Sequence, residues 1–236
     1  MKTKVILFDL DGTLLPMDQE VFIKAYFGGL VRKLVPHGYD PDTLVSTIWK
    51  GTGAMMKNDG SMTNENRFWQ VFCSVYGEDK KKEDEHIFDE FYSNEFDLVR
   101  NAVGYTDEAA KAVNEIKSMG YTVALATNPV FPTVATRKRI AWAGLSLEDF
   151  ALYTAYENSS YSKPSPLYYK EITEKLGVSP EECLMVGNDV GDDMIARSLG
   201  MKVFLLTDCL INKEEKDISS YANGSFSELL EYVRSL

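Results

Sequence analysis

Two carboxylates stand two residues apart near the start of the chain. Asp9 and Asp11 come directly after an apolar run, Val5–Phe8, which predicts a buried strand. Side chains two residues apart in an extended chain point to the same side, so both carboxylates can face the crevice at the end of that strand, where open α/β sheets bind their ligands. The segment DLDGT is equally compatible with a surface turn, because Asp-Gly is common turn chemistry. The spacing alone marks a candidate ligand site and leaves both interpretations open.

Polar side chains also follow the later apolar runs of the chain. Thr127 and Asn128 place a hydroxyl and an amide after the second run, Lys163 follows the third, and the acidic segment GNDVGDD at 187–193 follows the fourth. Each has an ordinary explanation on its own, as a helix cap, a solvated cation or an acidic loop. Found together at four successive strand ends, they are predicted to converge on one pocket.

The elements that would position these residues are short apolar runs that alternate with helical patterns. Continuous hydrophobicity is typical of strands buried on both faces of a parallel sheet. The predicted strands are Val5–Phe8, 122–126, 152–155, 184–186 and 203–206. Helical patterns such as 106–119 and Pro166–Leu176 lie between them. This repetition predicts an α/β fold with a doubly wound, Rossmann-like parallel sheet.

Residues 16–96 do not show this alternation of strand and helix patterns. They contain helical patterns at 20–35, 43–49, Asn64–Tyr76 and 84–96, and a turn-rich segment at 51–64 interrupts them. Six aromatic residues recur there at helical spacing, and packing of a small helical bundle explains them better than a ligand-binding surface does; they are Phe68, Trp69, Phe72, Phe88, Phe91 and Tyr92. The simplest architecture is an α/β core of residues 1–15 and 97–236 with an all-helical cap of residues 16–96.

Charge and composition exclude several classes of function. The chain has 25 Lys+Arg against 36 Asp+Glu and a formal net charge of −11, a balance that repels nucleic acid and anionic membranes. No apolar stretch approaches the roughly 18–20 residues of a membrane span. Three widely spaced cysteines favour unpaired thiols, and two histidines are few for a zinc site. We therefore expect a cytoplasmic monomer or homodimer with no nucleic-acid or membrane partner.

The order of these motifs resembles the haloacid dehalogenase-like hydrolase superfamily. The four motifs of that superfamily are DxDGT, a Thr or Ser at the second strand, a Lys, and an acidic cluster of the GDxxxD type. The resemblance covers residues 4–14 and 100–208. A helical insert placed directly after the first motif is similar to the cap of the phosphoglycolate phosphatase and β-phosphoglucomutase-like subgroup.

The resemblance implies a role for each of the matching residues. Asp9 would be the nucleophile that attacks phosphorus and also a ligand of Mg²⁺. Asp11 would protonate the leaving alcohol and then activate water, and its backbone carbonyl would also bind Mg²⁺. Thr127, Asn128 and Lys163 would bind the phosphoryl oxygens. These roles agree with the chemistry, because phosphoryl transfer needs alignment and charge neutralisation and Mg²⁺ prefers oxygen ligands.

The fourth motif departs from the family pattern. Asn188 stands where the superfamily has its first aspartate, and Asp189 follows it. Either Asn188 binds the metal through its amide oxygen while Asp189 adds charge, or a loop shift brings Asp189 to the metal. Asp192 and Asp193 both fit the later acidic position, and the five-residue step from Asn188 favours Asp193, in a supporting role behind the metal ligands.

The resemblance implies a phosphatase that acts on a small phosphorylated metabolite through an aspartyl-phosphate. A phosphotransferase or mutase would use the same pair of aspartates, and a binding protein on the same fold would be expected to lack Asp9 or Asp11. Dehalogenases of the superfamily replace the second aspartate, which is retained here. Substrate specificity is expected in the cap, where Lys50, Lys57 and Arg67 could meet a second anionic group of the substrate.

Overall fold

A parallel sheet forms the centre of the molecule. The computed structural model describes residues 2–236. The strands are β1 Val5–Phe8, β2 Thr122–Leu125, β3 Cys183–Gly187, β4 Lys202–Leu206 and β5 Ala222–Gly224. Their spatial order is β2-β1-β3-β4-β5, and every neighbouring pair is parallel. The predicted α/β class with a doubly wound parallel sheet is confirmed.

Alternate residues of strands β1 to β4 enter different apolar clusters on the two faces of the sheet. Ile6 and Phe8 of β1 belong to one buried cluster, and Val5 and Leu7 belong to the other. Because successive side chains of a strand point to opposite faces, a strand covered on both sides must be apolar at every position. This explains why the strands appear in the sequence as unbroken apolar runs.

Within residues 2–236, eight α-helices lie between or after the strands in the chain. Helices α1 Gln19–Leu34, α2 Pro41–Met56, α3 Asn64–Tyr76 and α4 Glu78–Ser93 lie between β1 and β2 in the chain and are called the helical insert below. The remaining helices are α5 Asp107–Ser118, α6 Thr133–Trp142, α7 Pro166–Leu176 and α8 Phe226–Arg234. Short 3-10 helices occupy Val35–His37, Glu95–Ala102, Leu147–Asp149, Pro180–Glu182 and Met194–Leu199. In residues 2–236, no helix is long and apolar enough to cross a membrane.

The helical insert packs through its aromatic side chains. Phe72 and Phe91 are completely buried, and Phe72 meets Trp69 and Phe88 edge to face at ring-centroid distances of 5.2 and 5.5 Å. Such edge-to-face pairs are favourable beyond the area they bury. The interpretation of the aromatic pattern as packing is confirmed, although some of these rings also line a cavity, as described below.

Two short contacts join the chain segments that connect the helical insert to the sheet. Met17 and Val103 form an antiparallel bridge, and the Gly104 N–H donates to the Pro16 carbonyl at 2.7 Å. The two crossings therefore run side by side. The division into a core of 1–15 and 97–236 and a cap of 16–96 remains a prediction, and its boundaries fall next to these crossings.

Three sequence-based expectations about the elements need correction. Residues 152–155 make only an isolated bridge, between Tyr153 and Leu125, rather than a strand. The edge strand β5 was not predicted, because its sequence ANG is short and not apolar. Helix α2 continues through the first six residues of the turn-rich segment 51–64, as far as Met56. Two glycines there disfavour a helix, but the buried stripe that includes Ile48 and Met55 continues across them, and packing outweighs the local preference.

Candidate active site

The predicted polar residues meet at one edge of the sheet. Asp9 follows β1, and its N–H donates to the Val186 carbonyl of β3 at 2.9 Å. The ends of β1 and β3 therefore lie side by side. Strands β2, β1 and β3 are neighbours, which brings the residues after each of them to the same edge. A cavity of about 90 Å³ lies there. Its lining includes the seven residues predicted for catalysis, phosphate binding and metal binding and also the predicted supporting residue Asp193; the seven are Asp9, Asp11, Thr127, Asn128, Lys163, Asn188 and Asp189.

A buried lysine joins two of the carboxylates. Lys163 Nζ donates to Asp9 Oδ1 at 2.8 Å and to Asp193 Oδ1 at 2.6 Å, and all three side chains are almost completely buried. Burial opposes the charge of Lys163, but the two carboxylates outweigh it and hold the Lys163 pKa well above its ordinary value. Lys163 is therefore a fixed positive charge beside Asp9.

Asp193 reaches Lys163 because a glycine leaves room for its side chain. A Cβ on Gly187 would lie 2.1 Å from Asp193 Oδ2, closer than any side chain allows. The same oxygen accepts the Asp189 N–H at 2.9 Å. Asp193 thus connects the lysine to the loop after β3. Its supporting role remains a prediction.

The amide of Asn188 has a fixed orientation. Its Nδ2 donates to the Cys209 carbonyl at 2.6 Å, which turns Oδ1 toward the Thr13 hydroxyl at 3.0 Å. Thr13 Oγ1 also lies 3.1 Å from Asp9 Oδ2. Gly12 has a φ of +85°, and a Cβ there would lie 2.4 Å from Asn188 Nδ2, so the DLDGT turn needs glycine for both reasons. One hydroxyl proton can satisfy only one of the two oxygens, which leaves the other free for a ligand.

The carboxylate of Asp189 stabilises the loop that contains it. Its Oδ1 accepts the N–H groups of Gly191 and Asp192 at 2.7 and 2.9 Å. Such local bonds are typical of an aspartate that stabilises a turn. Of the two alternatives for the fourth motif, the geometry favours Asn188 facing Asp9.

Asp11 makes an ion pair that the sequence analysis missed. Its Oδ2 accepts a hydrogen bond from Arg139. Arg139 is fully buried and stacks on the Phe131 ring, with 4.6 Å between the guanidinium carbon and the ring centroid. The other carboxylate oxygen, Oδ1, is buried without a hydrogen-bond partner in residues 2–236. Burial raises the pKa of Asp11, and Arg139 opposes that rise.

The helical phase of Arg139 contained a weak signal for this contact. Arg139 lies four residues from Ala135 and Ala143 and three from Trp142, all of which are buried on the same face of or just after α6. A charge on an apolar helix face is unusual and indicates a buried partner. The identity of that partner, Asp11, could not be read from the helix itself.

Thr127 and Asn128, which are predicted to bind phosphoryl oxygens, follow the end of β2. The Thr127 carbonyl accepts hydrogen bonds from Thr154 Oγ1 at 2.6 Å and from the Tyr168 hydroxyl at 2.8 Å, which fixes the backbone there. The next residue, Asn128, contacts Met56 of the helical insert, with 3.4 Å between Nδ2 and Sδ. Its Oδ1 is buried and has no partner within the described chain. Both side chains line the small cavity and can meet a ligand.

The net charge of the site is compatible with binding of a divalent cation. Lys163 and Arg139 provide two positive charges against the carboxylates of Asp9, Asp11 and Asp193, so this cluster carries one net negative charge when all five are ionised. Residues 2–236 contain no cluster of three or more His, Cys, Asp or Glu side chains arranged as a metal site. The donor set that the resemblance implies does not require one, because it combines the Asp9 carboxylate, the Asn188 amide oxygen and the Asp11 backbone carbonyl, with the Asp189 carboxylate as a further or alternative donor. These hard oxygen donors fit Mg²⁺.

A larger cavity of about 490 Å³ adjoins the small one. The two share Asp11, Gln19, Asn128 and Asp192 in their linings. We call this larger cavity the aromatic chamber, because ten of its lining residues are aromatic; those used below are Phe22, Tyr26, Trp49, Tyr92, Phe131 and Tyr156.

The three cations proposed for substrate recognition lie elsewhere. Arg67 binds the neighbouring loop through Asp59 at 3.0 Å and Ser61 at 3.1 Å. Lys50 and Lys57 are exposed, and none of the three lines either cavity. The expectation that they meet an anionic group of the substrate remains a prediction, and these positions give it no support. Charge type alone did not show which face of α2 and α3 points to the site.

Comparisons with known proteins agree on one family. A family model described as a haloacid dehalogenase-like hydrolase matches residues 3–200. A phosphoglycolate phosphatase of Vibrio parahaemolyticus is 25% identical over 232 residues, which are 98% of this chain and 96% of the relative. The pyrophosphatase PpaX of Bacillus cereus is 25% identical over 202 residues, 86% of this chain and 82% of the relative.

Solved structures share the fold over nearly the whole chain. A HAD phosphatase from Thermococcus onnurineus superposes with a TM-score of 0.57 at 21% identity and covers 98% of both chains. A 2-haloacid dehalogenase from Pseudomonas syringae gives a TM-score of 0.64 at 19% identity, over 99% of this chain and 98% of the other. Likeness at these identities establishes the architecture only.

Proposed function

The chain belongs to the haloacid dehalogenase-like hydrolases, and we propose that it is a Mg²⁺-dependent phosphatase that transfers the phosphoryl group of a small metabolite to Asp9. The observation that carries this proposal is the arrangement of Asp9 between two different partners. Lys163 holds Oδ1, while Oδ2 faces Asn188 Oδ1 across the Thr13 hydroxyl. This arrangement supports attack by Oδ1 beside a fixed positive charge and binding of a cation at Oδ2.

The first step forms an acyl phosphate on Asp9. Oδ1 attacks phosphorus, the bond between phosphorus and the ester oxygen breaks, and the leaving alkoxide takes a proton from the Asp11 carboxylic acid. Lys163, Thr127 and Asn128 surround the position of the phosphoryl oxygens and neutralise or bind them. Such preorganised charge is the main source of catalysis in phosphoryl transfer.

The second step releases phosphate from Asp9. Asp11, now ionised, takes a proton from water, which attacks phosphorus and restores the Asp9 carboxylate. Arg139 holds Oδ2 of Asp11, so the unpartnered Oδ1 is the oxygen available for both proton transfers. An acyl phosphate is reactive toward water, which suits a carboxylate nucleophile.

The metal would be held by this chain's own oxygens. Asp9 Oδ2, Asn188 Oδ1 and the Asp11 backbone carbonyl are the proposed donors for Mg²⁺, with Asp189 as the alternative ligand from the fourth motif. Bound there, Mg²⁺ supplies charge neutralisation for the transferring phosphoryl group. Without it, a dianionic substrate would enter a cavity lined by five carboxyl side chains and one lysine.

Hydrolysis of para-nitrophenyl phosphate with and without Mg²⁺ tests the proposal. We expect turnover with Mg²⁺, loss of turnover after chelation and recovery when Mg²⁺ is restored. Asp9→Asn should abolish turnover, because an amide cannot act as the nucleophile, whereas Asp42→Asn on the exposed start of α2 should not change it. Near wild-type turnover of Asp9→Asn, or full turnover after exhaustive chelation, would overturn the mechanism.

A further inference from the structure

The aromatic chamber indicates what kind of alcohol the substrate carries. It opens from the small cavity at Asp11, the residue proposed to protonate the leaving group, so it occupies the position of that group. Its volume of about 490 Å³ is typical of small-molecule sites, which range from roughly 300 to 1,000 Å³. We propose that the chain prefers phosphate monoesters whose leaving alcohol carries a bulky apolar or aromatic group and no second anion. This inference rests on the proposed phosphatase activity.

The walls of the chamber are apolar on both sides. Phe22 and Tyr26 of α1 and Tyr92 of α4 come from the helical insert, and Phe131 and Tyr156 come from the core. Phe131 lies edge to face with Phe22 and Tyr26 at centroid distances of 6.0 and 5.2 Å, so the chamber is closed by aromatic contacts between the two parts. Rings of this kind provide a large apolar surface for a ligand of similar character.

The hydroxyl groups in the chamber are neutral. Tyr26 and Tyr92 share a hydrogen bond of 2.8 Å between their hydroxyls. Burial raises the pKa of Tyr26 to about 12 and raises that of Tyr92 well above its ordinary value. These groups can meet a neutral polar atom of a ligand, but they provide no positive charge for an anion.

The charged groups of the chamber oppose a second anion. Asp11, Asp89 and Asp192 line it, and within the described residues only Lys213, exposed on the loop after β4, provides a positive charge there. Arg139 does not reach the lining, because it is fully buried behind Phe131 and paired with Asp11. A carboxylate or second phosphate on the leaving group would therefore meet net negative charge.

Three substrates with primary alcohols as leaving groups test this inference: 4-methylbenzyl phosphate, 4-carboxybenzyl phosphate and ethyl phosphate. Burial of the ring should raise kcat/KM for the methylbenzyl ester about 10- to 150-fold above that of ethyl phosphate. The carboxylated ester has nearly the same shape and should be at least about tenfold poorer than the methylbenzyl ester. Equal or better use of ethyl or carboxybenzyl phosphate would overturn the inference and leave the phosphatase proposal intact.

Two variants examine the chamber itself. Trp49 lies at the rim of the chamber and is 48% exposed, so Trp49→Ala should reduce the ratio of kcat/KM for methylbenzyl phosphate to that for ethyl phosphate several-fold. The control is Leu167→Ala on α7, which is equally exposed and should leave this ratio unchanged. Gly53 lines the chamber within α2, and a Cβ there meets nothing within 4 Å. Gly53→Arg should therefore fit and move the preference toward the carboxylated ester. Unchanged ratios in both chamber variants would contradict the assignment.

Binding measured by calorimetry separates this inference from the phosphatase proposal. The probes are the phosphonate analogues of the methylbenzyl and carboxybenzyl esters, whose carbon–phosphorus bond cannot be hydrolysed. Tighter binding of the methylbenzyl analogue, with a negative heat-capacity change that weakens in Trp49→Ala, supports the chamber even if no ester is turned over. If esters are hydrolysed but the methylbenzyl analogue binds no better, the chamber is not the site of the leaving group.

Discussion

Replacing Asp193 with asparagine should slow turnover while leaving magnesium binding nearly unchanged. The substitution keeps the size and shape of a side chain that is only 1% exposed, but removes its charge. Asp193 contacts Lys163 Nζ at 2.6 Å and the Asp189 N–H at 2.9 Å, and neither bond involves the side chain of Asn188 or of Asp9. The change therefore acts on the position of Lys163 rather than on the proposed metal ligands.

The expected losses of stability and of kcat for Asp193→Asn follow from the contacts that Lys163 keeps in this variant. Removing one partner of a buried ion pair costs about 3–5 kcal/mol. Lys163 keeps its bond to Asp9 at 2.8 Å, and the asparagine oxygen can still accept one hydrogen bond, so a loss of about 1–3 kcal/mol in the free energy of unfolding is expected. A charge-assisted hydrogen bond is worth about 1.5–3 kcal/mol, which corresponds to a fall in kcat of about 10- to 150-fold.

Three measurements check this expectation. Urea unfolding gives the change in stability, steady-state hydrolysis of para-nitrophenyl phosphate gives kcat, and titration with Mg²⁺ gives the metal affinity. Asp208→Asn is the matched control, because Asp208 is an exposed aspartate on the loop after the neighbouring strand β4. It should behave as wild type in all three measurements.

Two outcomes would refute the reasoning. A wild-type kcat in a folded Asp193→Asn protein would show that Lys163 does not need this partner. A loss of Mg²⁺ affinity of tenfold or more would place Asp193 among the metal ligands or in tight contact with them.

Three further predictions concern other parts of the molecule. Asn188→Ala should weaken Mg²⁺ binding more than Asp189→Ala, as measured by the Mg²⁺ dissociation constants, and the reverse order would assign the metal to Asp189. Arg139→Met should remove the partner of Asp11 and slow hydrolysis of alkyl phosphates by about tenfold or more. Hydrolysis of nitrophenyl phosphate should be slowed less, because its leaving group needs no proton. Equal losses in kcat for the two kinds of substrate would exclude a role of Arg139 in positioning Asp11. Phe72→Ala in the core of the helical insert should lower the free energy of unfolding by about 3–5 kcal/mol in urea titrations, and a loss below about 1 kcal/mol would show that this core is loosely packed.

Local sequence determined the elements whose pattern is complete within a few residues. Strand β1 is apolar at every position because both faces of the sheet are covered, and this is visible without a structure. Helices α3 and α7 occupy Asn64–Tyr76 and Pro166–Leu176 as predicted. Thr63 and Ser165 cap their first N–H groups, and Gly177, in the left-handed conformation, ends α7. Periodicity and capping depend on neighbours in the chain, so they can be read from it.

The order of polar residues at the strand ends also came from the sequence. Because the strands are parallel, the residues after β1, β2 and β3 had to meet at one edge whatever the details of packing. This is why the positions of Asp9, Thr127 and Asn188 around one cavity could be predicted, while the edge strand β5, short and weakly apolar, could not.

Tertiary structure alone decided which groups touch. Nothing near Arg139 in the chain shows that it pairs with Asp11, and nothing near Asn188 shows that the Cys209 carbonyl turns its amide oxygen toward Asp9. The same holds for Arg67, which binds a neighbouring loop instead of the chamber. These contacts join residues far apart in sequence, and their energies depend on burial and on distances of a few tenths of an ångström. Long-range packing sets both quantities, and the local pattern of residues contains no information about them.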